Sequence, residues 1–267
     1  MRRHWVICGV CAVVGIAFGF QKAEPLEELR KHGTLHAGVG HVGPDEYSFV
    51  PAGMAAEPFI DSIDVLSRCR SVRELVVPKM AHLGEILARV GGLEHVVSIS
   101  LKDRDVTDND LAGLAGMRQL KFLDLSHNPR VTDAGVAVLS GLENLRYLNL
   151  TNTGVTGTGF KGRPDLVSLY KLTLNDCPVT DESLAAIPRF PKLEELLLGG
   201  TNVTDKGLMT LVGWHSLRRV DRTSLTTKAG SKAFNDAFLA ARRKAREAGE
   251  PMDPRDIPPV FLDNWRD

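Results

Sequence analysis

One spacing of apolar residues recurs along the chain: a leucine, two other residues, a leucine, one other residue and a third leucine. It begins at Leu145, again at Leu169 and again at Leu193. The last two leucines of each triplet are two residues apart, so both point to the same side of an extended segment. Each triplet therefore predicts a short β-strand with one apolar face.

A Val-Thr pair follows each strand at a nearly constant interval. The valines are separated by 25, 24, 24 and 24 residues, and they are Val106, Val131, Val155, Val179 and Val203. Apolar residues three apart come next, as in Leu208 and Leu211, which predicts a short helix that the threonine caps. Copies of such a unit bury their apolar faces by stacking, so the pattern predicts a solenoid with parallel strands.

An aspartate follows the threonine in four copies: Asp108, Asp133, Asp181 and Asp205. A row of carboxylates could be taken for calcium ligands. Negative charge at a helix start explains the column more simply, so no metal site is predicted.

The segments VTDAGV and VTDKGL resemble the leucine-rich-repeat family, in its strand-plus-helix subtype with repeats of about 24 residues. The resemblance implies an α/β fold: a right-handed solenoid in a horseshoe arc, with the parallel sheet on the concave face and short helices on the convex face. The copy TGTGFKGRPD departs from the family pattern, because its three glycines and one proline disfavour a helix. Irregular backbone is therefore predicted after Val155.

Four segments are predicted. Residues 1–23 read as a signal peptide or short membrane anchor, residues 24–59 as a flexible linker, residues 60–227 as the solenoid, and residues 228–267 as a capping helix with an extended tail. The linker prediction rests on five glycines and four prolines without a sustained period. The capping helix would place Phe234, Phe238 and Leu239 on one side.

That helix ends in a basic run: Arg242, Arg243, Lys244 and Arg246. We interpret the run as a solvated outer face with favourable charge at the helix end. A grip on an anionic partner is the alternative.

The N-terminus has two arginines and then an uncharged run from Trp5 to Phe20. As a helix this run would span about 24 Å, which is short of the bilayer core of about 30 Å. Export to the periplasm or the medium is therefore favoured over permanent anchoring. Of the cysteines beyond this segment, Cys69 and Cys177 would lie on the order of 19 Å apart in the stack, too far for a disulfide, and both are expected to be free and buried.

Composition limits the function. The 33 basic and 33 acidic residues balance, so no nucleic-acid footprint is expected. No nucleophile motif, metal cluster or phosphate loop can be found in the sequence, which predicts a non-catalytic protein without a cofactor. His32, His36 and His41 lie in the glycine-rich linker and are interpreted as solvated rather than as metal ligands.

The residues that flank the inward leucines are predicted to lie on the exposed concave face. Aromatic side chains beside charged ones are typical of interfaces, with the aromatics as anchors. The candidate binding residues are Phe122, Tyr147, Lys171, Glu195, Arg219, Asp124 and Asn149.

The leading hypothesis is an exported scaffold, expected to be monomeric, that binds a protein or peptide on the concave sheet. The alternative is a substrate-recognition adaptor of a cytoplasmic ubiquitin ligase, because the repeats are also similar to those of F-box leucine-rich-repeat proteins. The apolar N-terminus argues against the cytoplasm.

Overall fold

The computed structural model describes residues 26–37, 45–51, 56–162, 165–221 and 223–249. They form one nine-stranded sheet in which the strands follow one another in chain order. The strands are β1 (Gly33–Ala37), β2 (Tyr47–Pro51), β3 (Val72–Val76), β4 (Ser98–Ser100), β5 (Phe122–Asp124), β6 (Tyr147–Asn149), β7 (Lys171–Thr173), β8 (Glu195–Leu197) and β9 (Arg219–Val220).

Helices occupy the connections between strands. The α-helices are α1 (Leu26–Leu29), α2 (Ala56–Leu66), α3 (Leu83–Val90), α4 (Asp133–Val138), α5 (Asp181–Ala186), α6 (Asp205–Met209) and α7 (Lys228–Glu247). Two 3-10 helices, Asp110–Leu114 and Thr158–Phe160, take the place of α-helices in two repeats. The irregular backbone predicted after Val155 is confirmed, with Gly157 at φ 101°.

The repeats stack as the leucine pattern predicts. From β2 to β9 every neighbouring pair of strands is parallel, and Leu148 lies beside Leu172, which lies beside Leu196. All three leucines are fully buried in one continuous core. The predicted α/β solenoid is therefore confirmed.

The structure differs from the flexible linker predicted for residues 24–59. Strands β1 and β2 form an antiparallel pair, and β2 continues the sheet in parallel with β3. Phe49 of β2 is fully buried in the solenoid core. Gly33 lies so close to the Phe49 ring that a Cβ atom would approach one ring carbon to 2.6 Å. The glycine thus permits β1 to pack there, so the glycine content of this segment does not mark a linker.

The C-terminal helix α7 closes the other end of the described sheet. The Thr227 hydroxyl caps it by accepting a hydrogen bond from the Gly230 amide at 2.9 Å. Phe234 and Phe238 are buried in the core, as predicted, but Leu239 is exposed. That part of the prediction is wrong, because Leu239 directly follows Phe238 and the helix turns it away from the core.

Within the described part of the chain, Cys69 and Cys177 form no disulfide and both are buried, as predicted. Cys177 lies at the turn after β7, where its Sγ contacts the Leu150 carbonyl at 2.9 Å. Its environment raises the pKa of the thiol, mainly through burial.

The buried side chain of Asn128 closes the turn after β5. Its Oδ1 accepts hydrogen bonds from the amides of Arg104 and Val106, each at 3.0 Å, and its Nδ2 donates to the carbonyls of Leu101 and Leu125. Asn128 is fully buried. One side chain thus links the backbones of two repeats.

The aspartates at the helix starts also couple neighbouring repeats. Asp108 accepts from the amide and hydroxyl of Thr132 in the next repeat, at 2.7 and 2.6 Å. Asp181 does the same with Thr204, at 2.8 and 2.6 Å. The pairs Asp133 with Thr156 and Asp205 with Thr227 complete what we call the aspartate ladder.

The aspartate ladder is interrupted at Gly157, which occupies the position of an aspartate. Thr180 of the following repeat is satisfied within its own helix instead: its amide donates to Ser183 Oγ at 2.9 Å, and its hydroxyl accepts from the Ser183 amide. Between these two repeats the ladder contributes no link.

Low pH is expected to weaken the hydrogen bonds that the Asp133 carboxylate accepts in the aspartate ladder. Burial raises the pKa of this carboxyl, but hydrogen bonds from Thr156, Gly159, Thr158 and Gly157 outweigh it and hold the pKa below the usual 3.8. A pKa lowered by folding stabilises the protein above the unfolded value and loses that contribution as the pH falls through the folded value. Urea unfolding from about pH 7 down to about pH 2 should therefore show a smaller loss for Asp133→Asn than for the parent.

The exposed Asp176 provides a control, because its side chain lies in a turn outside the aspartate ladder. Asp176→Asn removes a carboxylate without breaking a hydrogen bond of the aspartate ladder, so the loss in Asp133→Asn is compared with the loss in this variant. Equal losses in the two variants would show that the hydrogen bonds accepted by Asp133 have no part in acid stability.

Candidate protein-binding surface

The candidate binding residues lie on the face of the sheet opposite the core, which we call the open face. The strand register places the first residues of β5 to β9 side by side in what we call the central row: Phe122, Tyr147, Lys171, Glu195 and Arg219. Their side chains are all partly buried. Five positions spread over about a hundred residues of sequence thus form one continuous surface.

An aromatic pair forms one end of the central row. The rings of Phe122 and Tyr147 are 6.5 Å apart between centroids and inclined at 43°. Lys171 Nζ lies 5.6 Å from the centre of the Tyr147 ring, within the range of a cation–π contact. The pKa of the Tyr147 phenol is raised by burial and by the nearby Asp124 carboxylate. The phenol therefore stays protonated at neutral pH and can donate a hydrogen bond.

Alternating charges form the other end. Glu195 Oε2 lies 3.0 Å from Lys171 Nζ and 3.7 Å from Arg219 Nη1. Arg219 Nη2 also lies 4.0 Å from Asp221 Oδ1. Partly exposed ion pairs of this kind contribute only about 0 to 1 kcal/mol each to stability. A partner could therefore replace them at little cost to the fold.

The two second-row candidates have a structural use. Asp124 accepts a hydrogen bond from the Ser126 amide at 2.9 Å. Asn149 accepts from the amide and the hydroxyl of Thr151, at 3.1 and 2.8 Å. Both side chains thus help to form the turns that end their strands, and they lie two residues along β5 and β6 from Phe122 and Tyr147, on the same face of the sheet.

A cavity of about 1040 Å³ adjoins the central row and was not predicted from the sequence. We call it the rim cavity, because the segments that precede β6 to β9 line it together with Phe122, Tyr147 and Lys171. Phe190 and Trp214 are almost fully buried in its wall, whereas Tyr170 is exposed. The leucine pattern marks strands and core but says nothing of the space between these segments.

A buried ion pair lies in the wall of the rim cavity. Arg218 Nε is 2.8 Å from Glu194 Oε2, and both side chains are largely buried. The pKa of Tyr170 is raised by burial, by the Glu194 and Glu195 carboxylates and by a hydrogen bond with Glu194. Phenol and carboxylate therefore belong to one polar cluster.

Arg242 from α7 also lines the rim cavity. It is only 8% exposed, and its guanidinium carbon lies 5.9 Å from the centre of the Phe238 ring. The interpretation of the whole basic run as a solvated face is therefore wrong at Arg242, while Arg243, Lys244 and Arg246 are exposed. Arg242 follows Phe238 by four residues and so shares its side of the helix, a signal that the sequence contains.

Among the described residues no group of histidine, cysteine or acidic side chains could hold a metal ion. None of the helices in that part of the chain has the length and apolar character needed to span a bilayer. The predicted signal or anchor, the two cysteines within it and the tail after residue 249 lie outside the described residues.

Together, the stacked strands, the helical connections and the open face define an α/β solenoid. Within that class the repeats are of the leucine-rich type: the family model described as Leucine Rich repeat matches residues 116–140 and 191–212. These matches contain the VTDAGV and VTDKGL segments on which the resemblance was based.

Solved structures with similar folds include two internalins of Listeria monocytogenes strain 4b F2365. Internalin C2 is 25% identical with a TM-score of 0.46, and the match covers 60% of this chain and 65% of that protein. The second internalin is 19% identical with a TM-score of 0.46, and the match covers 71% of this chain and 55% of that protein. The chain thus spans less than two thirds of either one. No curated protein matches the sequence.

Proposed function

We propose that this protein is a non-catalytic scaffold that binds a protein or peptide on its open face. The observation that carries the proposal is the central row, in which a partly buried aromatic pair continues into a series of alternating charges. Interfaces concentrate binding energy in such aromatic anchors and arrange charged groups around them. A repeat array also suits the role, because it presents a long surface on a rigid core.

The aromatic pair is the proposed anchor. Phe122 and Tyr147 sit on neighbouring strands whose backbones are fixed by the parallel ladder, so binding would order little that is mobile. Lys171, Glu195 and Arg219 would select the partner by exchanging their mutual ion pairs for pairs across the interface. Asp124 and Asn149 are proposed to contribute from their places beside the strand ends.

We also propose that the protein acts outside the cytoplasm as a monomer. The uncharged run from Trp5 to Phe20, preceded by two arginines, supports export. Fractionation of host cells combined with N-terminal sequencing tests this, and intact chains in the cytoplasm would contradict it.

Site-specific photocrosslinking tests the open face. A photoreactive phenylalanine analogue at position 122 should yield a discrete adduct in the native host, whereas the same analogue at Met209, which is exposed on α6, should not. Once the partner is identified and purified, Phe122→Ala with Tyr147→Ala should weaken its binding by at least about tenfold, as expected of anchor residues.

Two measurements keep this test specific. Met209→Ala should leave both the affinity and the melting temperature unchanged, and the double variant should keep the parent's circular dichroism. Adducts that form equally from positions 122 and 209, or an unchanged affinity of the double variant, would contradict the proposed surface.

A further inference from the structure

The rim cavity carries an excess of positive charge that the chain as a whole lacks. The protein has 33 basic and 33 acidic residues. Six cationic side chains but one carboxylate, Glu194, line the cavity; the cations are Arg146, Lys171, Arg189, Lys192, Arg218 and Arg242. The local imbalance is therefore a property of this site and not of the composition.

Only part of that charge is neutralised from within. Arg218 is paired with Glu194, and Lys171 with Glu195. Among the residues that the structure describes, Arg146, Arg189 and Lys192 form no ion pair, and all three are exposed. These three cations are thus available to an anionic group.

The Arg189 guanidinium lies against the backbone of the cavity wall. At Gly213 a Cβ atom would come within 2.8 Å of its Cζ. A side chain at residue 213 would displace the guanidinium, so the glycine leaves room for it beside the cavity. A planar guanidinium at this place is suited to a carboxylate.

The cavity is also aromatic and continuous with the central row. Tyr147 and Phe122 belong to both, and Tyr170 and Trp214 extend the aromatic wall away from the sheet. A segment that lies on the open face can therefore reach the cavity without crossing a gap. The site suits a side chain with an aromatic ring next to one or more carboxylates.

We infer that the rim cavity is the specificity site of the open face and that it receives an acidic segment of the partner protein, with Asp or Glu beside an aromatic residue. The inference rests on the proposed function, since it names the chemistry of the partner. Arg146, Arg189 and Lys192 bind the carboxylates, and Tyr147, Tyr170 and Trp214 contact the ring.

The direct test uses a fluorescent random copolymer of glutamate and tyrosine as the probe, with a lysine–tyrosine copolymer as its control. Fluorescence anisotropy should show binding of the acidic copolymer alone, weakening as the salt concentration rises from about 50 to about 300 mM. Arg146→Gln with Arg189→Gln should reduce the affinity by about tenfold or more and flatten the salt dependence.

The matched control removes the same charge from elsewhere on the molecule. Arg243 and Lys244 are next to Arg242 in sequence but do not line the cavity. The double variant Arg243→Gln with Lys244→Gln should change the affinity for the acidic copolymer by less than about twofold. An equal reduction by the two variants, or equal binding of both copolymers, would overturn the inference.

The outcome is separable from that of the proposed function. A partner captured through position 122 whose affinity is unchanged by Arg146→Gln with Arg189→Gln would refute the acidic-segment inference and leave the scaffold proposal intact. Absence of any position-specific adduct would instead refute the scaffold proposal.

Discussion

Replacing Asn128 with alanine is expected to lower the free energy of unfolding by about 3 kcal/mol, the cost of leaving several buried polar groups without partners. The amides of Arg104 and Val106 would lose their acceptor, and the carbonyls of Leu101 and Leu125 would lose a donor. Water cannot easily replace the side chain, since Asn128 is fully buried. Urea unfolding followed by circular dichroism measures the effect.

The equivalent position of a later repeat supplies the control. Thr201 is also buried, but its hydroxyl makes a single hydrogen bond, to the Leu198 carbonyl at 2.7 Å. Thr201→Ala should cost only about 1 kcal/mol, as for one lost hydrogen bond. Equal costs at the two positions would show that Asn128 fills space and does not link the repeats.

Replacing Gly207 with alanine is expected to destabilise the protein by about 2 kcal/mol, although alanine favours helices over glycine by about 1 kcal/mol. A Cβ atom at this position would collide with Asp181 Oδ1 and come within 2.9 Å of Asp181 Cγ. The carboxylate would have to move, and with it the two hydrogen bonds that it accepts from Thr204.

A double-mutant cycle isolates this cause. If the collision with the carboxylate is responsible, Gly207→Ala in an Asp181→Ala background should be close to neutral or stabilising, and the coupling should be about 2 kcal/mol. Additive effects would attribute the loss to the helix itself. Thermal unfolding of the four proteins provides the measurement.

Much of the solenoid could be predicted from the sequence, because its period and its strands follow from apolar spacing alone. The leucine triplets locate β6 to β8 and their register, since a shift of one residue would expose the leucines. The N-terminal strands could not be predicted in this way. Tyr47–Pro51 is a single short apolar run without a repeat, and its burial depends on pairing with β3.

The aspartate ladder leaves a signal in the sequence, in the form of two columns that vary together. Where an aspartate follows the threonine of one repeat, the residue three positions after the threonine of the next repeat is glycine: Gly135, Gly159, Gly207 and Gly230. Where it is missing, that residue is polar and caps its own threonine, as Ser183 does for Thr180 and Asp110 for Thr107. The two columns vary together because one makes room for the other.

The binding surface was predictable only in part. The central row follows from strand alternation, and the structure brings its five members together. The rim cavity depends on how the segments before the strands fold over one another, which no periodic signal specifies. Arg242 reaches it from α7, far from the repeats in sequence.

The interruption of the aspartate ladder at Gly157 predicts how the molecule would respond to mechanical load. In a linear array each joint carries the full tension, so a joint without an aspartate link should extend at a lower load than neighbouring joints that have one. Within the central row, the joint that lacks this link lies between the repeats of Tyr147 and Lys171. A partner that pulls on both ends of this row would therefore change the curvature there first.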